Sequence, residues 1–237
     1  MKLLALDTAT EACSAAVWVE GAVHARFEIV GRDHTRRLIP IVTAVLAEAG
    51  LRYSQLDGLV CGLGPGSFAG VRIGVAFAKG VALAHALPVV GVSSLALLAQ
   101  GALSAASAQR VLVAIDARMG EVYFQAYERA ADGLAQAAGD AVVSAPGAVP
   151  VPSTPGPWLA AGTGWGSYEA LLRTRLACEI SQLDTAALPQ AADALALALP
   201  VFQRGEAQAA DAMQPVYLRN RVALTLLEQQ QRRVENG

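Results

Sequence analysis

LVCGLGPGSF at residues 59–68 decides the fold, because it returns as LAAGTGWGSY at residues 159–168, offset by 100 positions. The Leu, three glycines and the Ser coincide, and Phe68 is matched by Tyr168. A second pair of segments supports the repeat. The apolar run 111–116 ends in Asp116 as the run 3–6 ends in Asp7, and a further apolar run follows each, at 122–127 and 15–19. Together they read as an internal duplication of one supersecondary unit.

Around the first copy, runs at 3–6, 12–19 and 22–30 are spaced as an antiparallel meander, with Glu20 and Gly21 as a turn. Leu38, Val42, Val45, Leu46 and Ala49 then recur at helical spacing over 35–49, with Gly50 placed as a C-terminal cap. Pro40 leaves the start of that helix uncertain. A buried strand at 56–61, a helix at 68–86, a strand at 88–92 and a helix from Ser93 to about 105 complete the order βββαβαβα. That order predicts a mixed sheet covered by helices. In the second copy, 146–157 is Pro-rich and reads as a surface loop, 191–202 as a helix, and 224–234 as a helical tail. The expected division is an N-terminal lobe at 1–106, a C-terminal lobe at 107–221 and a tail at 222–237.

Composition bounds what such a chain can do. With 54% hydrophobic and 16% charged residues it is a compact globular protein, and its 237 residues suffice for one large core or two lobes. The net charge of -2 and pI near 5.9 do not suit a protein that grips RNA alone. Cys13, Cys61 and Cys178 lack metal-ligand or disulfide spacing. The opening apolar run is too short for a signal peptide, and no uninterrupted apolar run is long enough for a bilayer, so the expected compartment is the cytosol.

The candidate motifs divide between chemistry and packing. Gly64, Gly66 and Ser67, between a strand and a helix, offer backbone amides to an anion. A tight turn explains the same glycines, and neither a dinucleotide fingerprint nor a P-loop is complete. Asp7, in DTAT at 7–10, sits where a phosphate-binding hairpin would carry its acid, but Ala9 stands where a glycine is needed for close backbone approach. A hydrogen-bonding role at the strand end is the other reading of Asp7. His34 would need a second His one turn on for a helical metal pair, and that position is Leu38. No catalytic residue and no metal site are therefore expected. Gly70, Gly74, Ala78, Ala82 and Ala86 form a small-residue stripe at four-residue spacing, suited either to packing on the chain's own sheet or to another subunit's helix.

At 64–74, GPGSFAGVRIG resembles the TsaB (YeaZ-like) family hallmark GPGSFTGxRxG, with Ala69 in place of Thr. LDTATE at 6–11, HTRRLIP at 34–40, DARMGEVY at 116–123 and PVYLRNRVA at 215–223 extend the resemblance along the chain. It implies a duplicated actin-like (ASKHA, ribonuclease H-like) α/β fold. It also implies a non-catalytic subunit required for threonylcarbamoyladenosine formation beside the anticodon of ANN-reading tRNAs. The implied partners are the catalytic paralogue TsaD and the ATPase TsaE, with a homodimer as another state. RNA would be held chiefly by the partner, no cofactor would be intrinsic, and ATP or ADP would sit at the complex interface. The expected partner-binding residues are His34, Arg37, Leu38, Ile41, Val42 and Val45 on one helix, with Gly70, Arg72, Gly74 and Ala78 on the next. Gly74→Leu is then expected to abolish association while sparing the fold. The rival readings are an actin-like ATPase or phosphotransferase, a metalloprotease, and a small-anion binding module at Gly64–Ser67.

Overall fold

The structure, a computed structural model, describes residues 1–219. The expected tail helix at 224–234 lies outside the described residues. Strands β1 (Lys2–Asp7), β2 (Ala12–Val19) and β3 (Ala22–Ile29) form the meander, turned at Glu20 and Gly21, both at positive φ. Helix α1 (His34–Glu48), β4 (Gly58–Gly62), α2 (Phe68–His85), β5 (Val89–Val92) and α3 (Ser94–Ala105) follow. The sheet order is β3-β2-β1-β4-β5, with β4 parallel to both β1 and β5. Pro40 lies in the second turn of α1, not the first, with its ring in solvent.

The second half repeats this plan. Strands β6 (Arg110–Arg118), β7 (Glu121–Arg129) and β8 (Ala135–Ala137) make a meander, β9 (Val142–Ser144) adds to β7, and β10 (Trp158–Ala161), α4 (Thr163–Leu176), β11 (Ile180–Asp184) and α5 (Ala191–Gln203) complete it. The sheet order β11-β10-β6-β7-β8 matches the first, with β6, β10 and β11 parallel as β1, β4 and β5 are. One difference stands out: the place of α1 is taken by a single 3-10 turn at Pro146–Ala148 in the Pro-rich stretch. The fold is the two-lobed, actin-like α/β arrangement.

Both central strands are buried on two faces, as strands between helical layers must be. From β1, Leu4 and Leu6 point into a core with α1 and α2, while Leu3 and Ala5 point the other way. The helices that close the two halves exchange sheets. Leu95, Leu98, Ala99 and Leu103 of α3 pack on Val111, Val113 and Ile115 of β6. Ala191, Ala194, Leu195 and Ala198 of α5 pack on Leu3, Ala5, Ala16 and Val60 of the first sheet. Residue 106 thus separates the two sheets, while the helical packing crosses it. Helix α2 is long and apolar enough to span a bilayer, but Val71, Val75, Ala78 and Ala82 on its inner face are core residues of the first lobe.

Asp193, in the first turn of α5, lies where α3 crosses it, with Oδ2 2.7 Å from the point a Cβ on Gly101 would occupy. Burial pushes its carboxyl up to about 6. The folded chain therefore holds a proton that the unfolded chain releases, and stability falls as pH rises from about 4 to 6, by on the order of 2 kcal/mol. Asp193→Asn should remove that slope and raise stability at neutral pH, as read by urea unfolding across this pH range.

Candidate functional site

The glycine loop and the β1–β2 turn are pressed together. The Ser67 amide donates to the Ala9 carbonyl at 2.7 Å, and a Cβ on Gly66 would stand 2.1 Å from that same oxygen. The Gly64 amide donates to Ser94 Oγ at 3.2 Å, and Ser67 Oγ caps α2 by accepting from the Gly70 amide. Asp7 is enclosed: Oδ1 accepts from the Ala9 amide at 3.0 Å and Oδ2 from Ser94 Oγ at 2.7 Å. Burial raises its carboxyl above the usual carboxylate range, against the opposing pull of those hydrogen bonds and of His34. The close approach that the glycines permit is to a neighbouring backbone segment. Of the four residues expected to touch an anion, Gly66 and Ser67 line the cleft described below, while Asp7 and Gly64 are buried behind it.

The expected partner-binding residues need correction. Leu38, Ile41, Val42 and Val45 of α1 are buried in the chain's own core, as are Gly70, Gly74 and Ala78 of α2. His34 is buried too, its Nε2 2.8 Å from the Thr10 carbonyl oxygen and 3.1 Å from that of Ala12, pinning α1 to the turn. The small-residue stripe seats α2 on β1: Thr8 Oγ1 donates to the Gly70 carbonyl at 2.7 Å, and a Cβ on Gly74 would meet Thr8 Oγ1 at 2.4 Å. Side chains so placed cannot meet another subunit, and Gly74→Leu would disturb folding before association. Arg37 and Arg72 are the two of the set that reach solvent. Arg37 forms a two-pronged ion pair with Glu28 at 2.7 and 2.8 Å, and Arg72 stacks on Phe68.

Between the halves lies a cleft of about 400 Å³. Ala9, Glu11 and Arg32 line it on the first lobe, and Ile115, Asp116 and Tyr123 on the second. A strap at 213–219 crosses it. Met213 is anchored in the first core, the Val216 amide donates to the Leu63 carbonyl at 2.8 Å, and Leu218 packs on the second core. Arg219 then bonds the Ala117 carbonyl at 3.1 Å and pairs with Glu121. It thereby braces the β6–β7 hairpin, where Arg118, Met119 and Gly120 all have positive φ. At the mouth, Phe68 and Tyr217 are 54% and 46% exposed. Sequence reasoning passed over both, although PVYLRNRVA and GPGSFAGVRIG contain them. It also passed over the outward residues of the α1–α2 layer: Ile39, Leu83 and Gly80, whose missing side chain faces open space. Among the described residues no three His, Cys, Asp or Glu side chains converge as for a metal ion.

The comparisons with known proteins agree over nearly the whole chain. Residues 21–229 match the family described as TsaD, tRNA N6-adenosine threonylcarbamoyltransferase. The tRNA threonylcarbamoyladenosine biosynthesis protein TsaB of Escherichia coli K12 is 43% identical over 226 residues, covering 94% of this chain and 96% of that protein. The protein of the same name from Haemophilus influenzae is 36% identical over 230 residues, covering 94% and 95%. The solved structure of YeaZ from Pseudomonas aeruginosa superposes with a TM-score of 0.85 at 44% identity, covering 92% of this chain and 99% of that one. With its duplicated sheets, its glycine loop closed onto the DTAT turn, and this extent of identity, the chain belongs to the TsaB family of tRNA threonylcarbamoyladenosine biosynthesis proteins.

Proposed function

We propose that this chain is a non-catalytic scaffold in the formation of threonylcarbamoyladenosine on tRNA, acting in the cytoplasm by pairing with the catalytic TsaD paralogue. The complex so formed recruits the TsaE ATPase, with ATP or ADP held at the shared interface rather than by this chain alone. The observation that carries the reading is the engagement of the groups that a nucleotide site at the β1–β2 turn and glycine loop would use: both Asp7 oxygens and the Gly64 and Ser67 amides are bonded within the chain. An isolated chain with its polar groups so occupied has little to offer a substrate, whereas it has an outer helical face to offer a protein.

That face is the solvent side of α1 and α2, not the buried stripe. Ile39 and Leu83 are 57% and 63% exposed there, beside the open surface of Gly80. Apolar residues around a small one allow a partner helix to approach closely. Co-expression with the TsaD paralogue followed by mass-resolved chromatography, with and without ATP, tests the proposal. The wild-type chain is expected to co-elute with it, and Leu83→Arg to weaken the pair roughly tenfold or more by burying an unpaired charge. Magnesium-dependent ATP turnover by the isolated chain, or undiminished pairing of the Arg variant, would defeat it.

A further inference from the structure

Helix α2 opens on Phe68, and one turn later Arg72 folds back over that ring, its guanidinium carbon 3.2 Å from the ring centroid. The strap brings Tyr217 to the same place, 5.1 Å from the Arg72 guanidinium and with its ring centroid 6.0 Å from that of Phe68. Two tilted aromatic rings and a guanidinium therefore cluster at the cleft mouth, where both rings keep about half their surface in water. Arg32 lines the cleft beside them. The acids on the second-lobe side are already neutralised, Asp116 by Arg118 at 2.9 Å and Glu121 by Arg219. Among the described residues no carboxylate pairs with Arg32 or Arg72. Glu11, which lines the same cleft, offsets one of these two arginines, and in a chain of net charge -2 the remainder is still a local surplus of positive charge joined to flat apolar surface.

We infer that Phe68, Arg72 and Tyr217 form a contact site for a single-stranded segment of RNA, with bases stacking on the rings and phosphates meeting the N–H edges of Arg72 and Arg32. The inference rests on the proposed role of this chain in an RNA-modifying complex and adds a direct contact to the RNA binding left mainly to the partner. Stacking on aromatic and guanidinium planes is how unpaired nucleotides are commonly held, and it tolerates any base. A guanidinium whose flat faces are used by rings keeps its N–H edge for an oxyanion. Protein interfaces also favour Phe, Tyr and Arg, so loss of the partner subunit is one outcome the test reads; what favours RNA is the pair of arginines without a carboxylate partner among the described residues, which suits a polyanion. The α1–α2 face, with Ile39 and Leu83 exposed, is the surface proposed above for the protein partner. Arg72 and Gly80 lie on α2 eight residues apart, about 12 Å along the helix, so RNA held at the rim would lie beside whatever protein covers that face.

The test uses the full chain assembled with its catalytic partner and an unmodified transcript of an ANN-reading tRNA, followed by fluorescence anisotropy at several salt concentrations. Phe68→Ala and Tyr217→Ala should each weaken RNA binding roughly tenfold while leaving subunit stoichiometry unchanged. Arg72→Gln should lower the slope of log affinity against log salt by about 0.7, an effect that loss of packing alone would not produce. Unchanged RNA affinity in all three variants overturns the inference. So does loss of the partner subunit with RNA affinity otherwise retained, which would make the rim a protein interface. If the wild-type chain fails to pair at all, the proposed function fails separately. Photocrosslinking of the chain alone to a 4-thiouridine oligoribonucleotide then decides the rim: adducts at Phe68 or Tyr217 support it, and their absence overturns it.

Discussion

Gly70→Ala is expected to lower the melting temperature by about 6 °C, although it adds a single methyl group in a helix. The methyl carbon would stand 2.1 Å from the backbone carbonyl oxygen of Thr8, a contact that no side-chain rotation can relieve. Helix α2 would have to lift off β1, losing the Thr8 Oγ1 bond to the Gly70 carbonyl and loosening the Ser67 bond to Ala9. Leu6, Val71 and Val75, packed in the same core, would part with it. Overpacking of this kind costs roughly 3 kcal/mol, which overwhelms the better helix propensity of Ala by a factor of about three. For a chain of this length each kcal/mol lowers the midpoint by about 2–4 °C. Gly80→Ala is the internal control. Its Cβ would meet nothing within 4 Å, so only the propensity gain of roughly 1 kcal/mol remains and the midpoint should rise. Thermal unfolding followed by circular dichroism reads both.

The contrast between Gly70 and Gly80 also shows where sequence reading stopped. Spacing found the stripe at Gly70, Gly74 and Ala78, but small residues at i and i+4 fit a strand as well as a foreign helix. Nor does apolarity orient α2: Leu83 is exposed on its outer side, Ile73 and Phe77 are half-buried at the edge of the core, and Val71 and Val75 are on its inner side. The duplication was legible because each half had to rebuild the same strand, glycine turn and helix, and each left the same residues at the turn. Which sheet α3 and α5 would cover was not legible, since apolar periodicity gives a helix one buried face without saying against what. Long-range pairings were invisible for a simpler reason. Ser94 lies 87 residues from the Asp7 it bonds, and Tyr217 lies in a segment with no helical or strand period to announce it. The two readings left open for Asp7 needed that partner before one of them could be preferred.

Replacing Asp7 should separate those readings, because Ala and Asn are expected to behave in opposite ways. Asp7→Ala strips the acceptor from two buried donors, the Ala9 amide and the Ser94 hydroxyl, and opens a gap beside Gly62, whose own Cβ would have stood 1.8 Å from Oδ2. Each orphaned donor costs about 1–3 kcal/mol, so a net loss of roughly 3 kcal/mol is expected after relief of the buried charge. Asp7→Asn keeps Oδ1 for the Ala9 amide and presents an NH2 group to Ser94 Oγ, so its stability at neutral pH should stay within about 1 kcal/mol of wild type. The pH dependence has a definite sign. Burial raises the Asp7 carboxyl above 3.8, so the native state keeps its proton to a higher pH than the unfolded chain does. Its contribution to stability is then fully present below the unfolded value and is lost as pH rises through the folded value; Asn should abolish that slope. Equilibrium unfolding in urea from pH 4 upward measures it, alongside the Asp193 slope, which Asp193→Asn removes independently. The functional outcome follows from the same geometry. A carboxylate whose oxygens are both spent on holding two loops together should be replaceable by its amide without loss of threonylcarbamoyladenosine formation in the reconstituted complex. A carboxylate that organised a metal-bound phosphate would not be. Full stability with lost activity in Asp7→Asn would therefore turn the β1–β2 turn from a structural clasp into a site of chemistry.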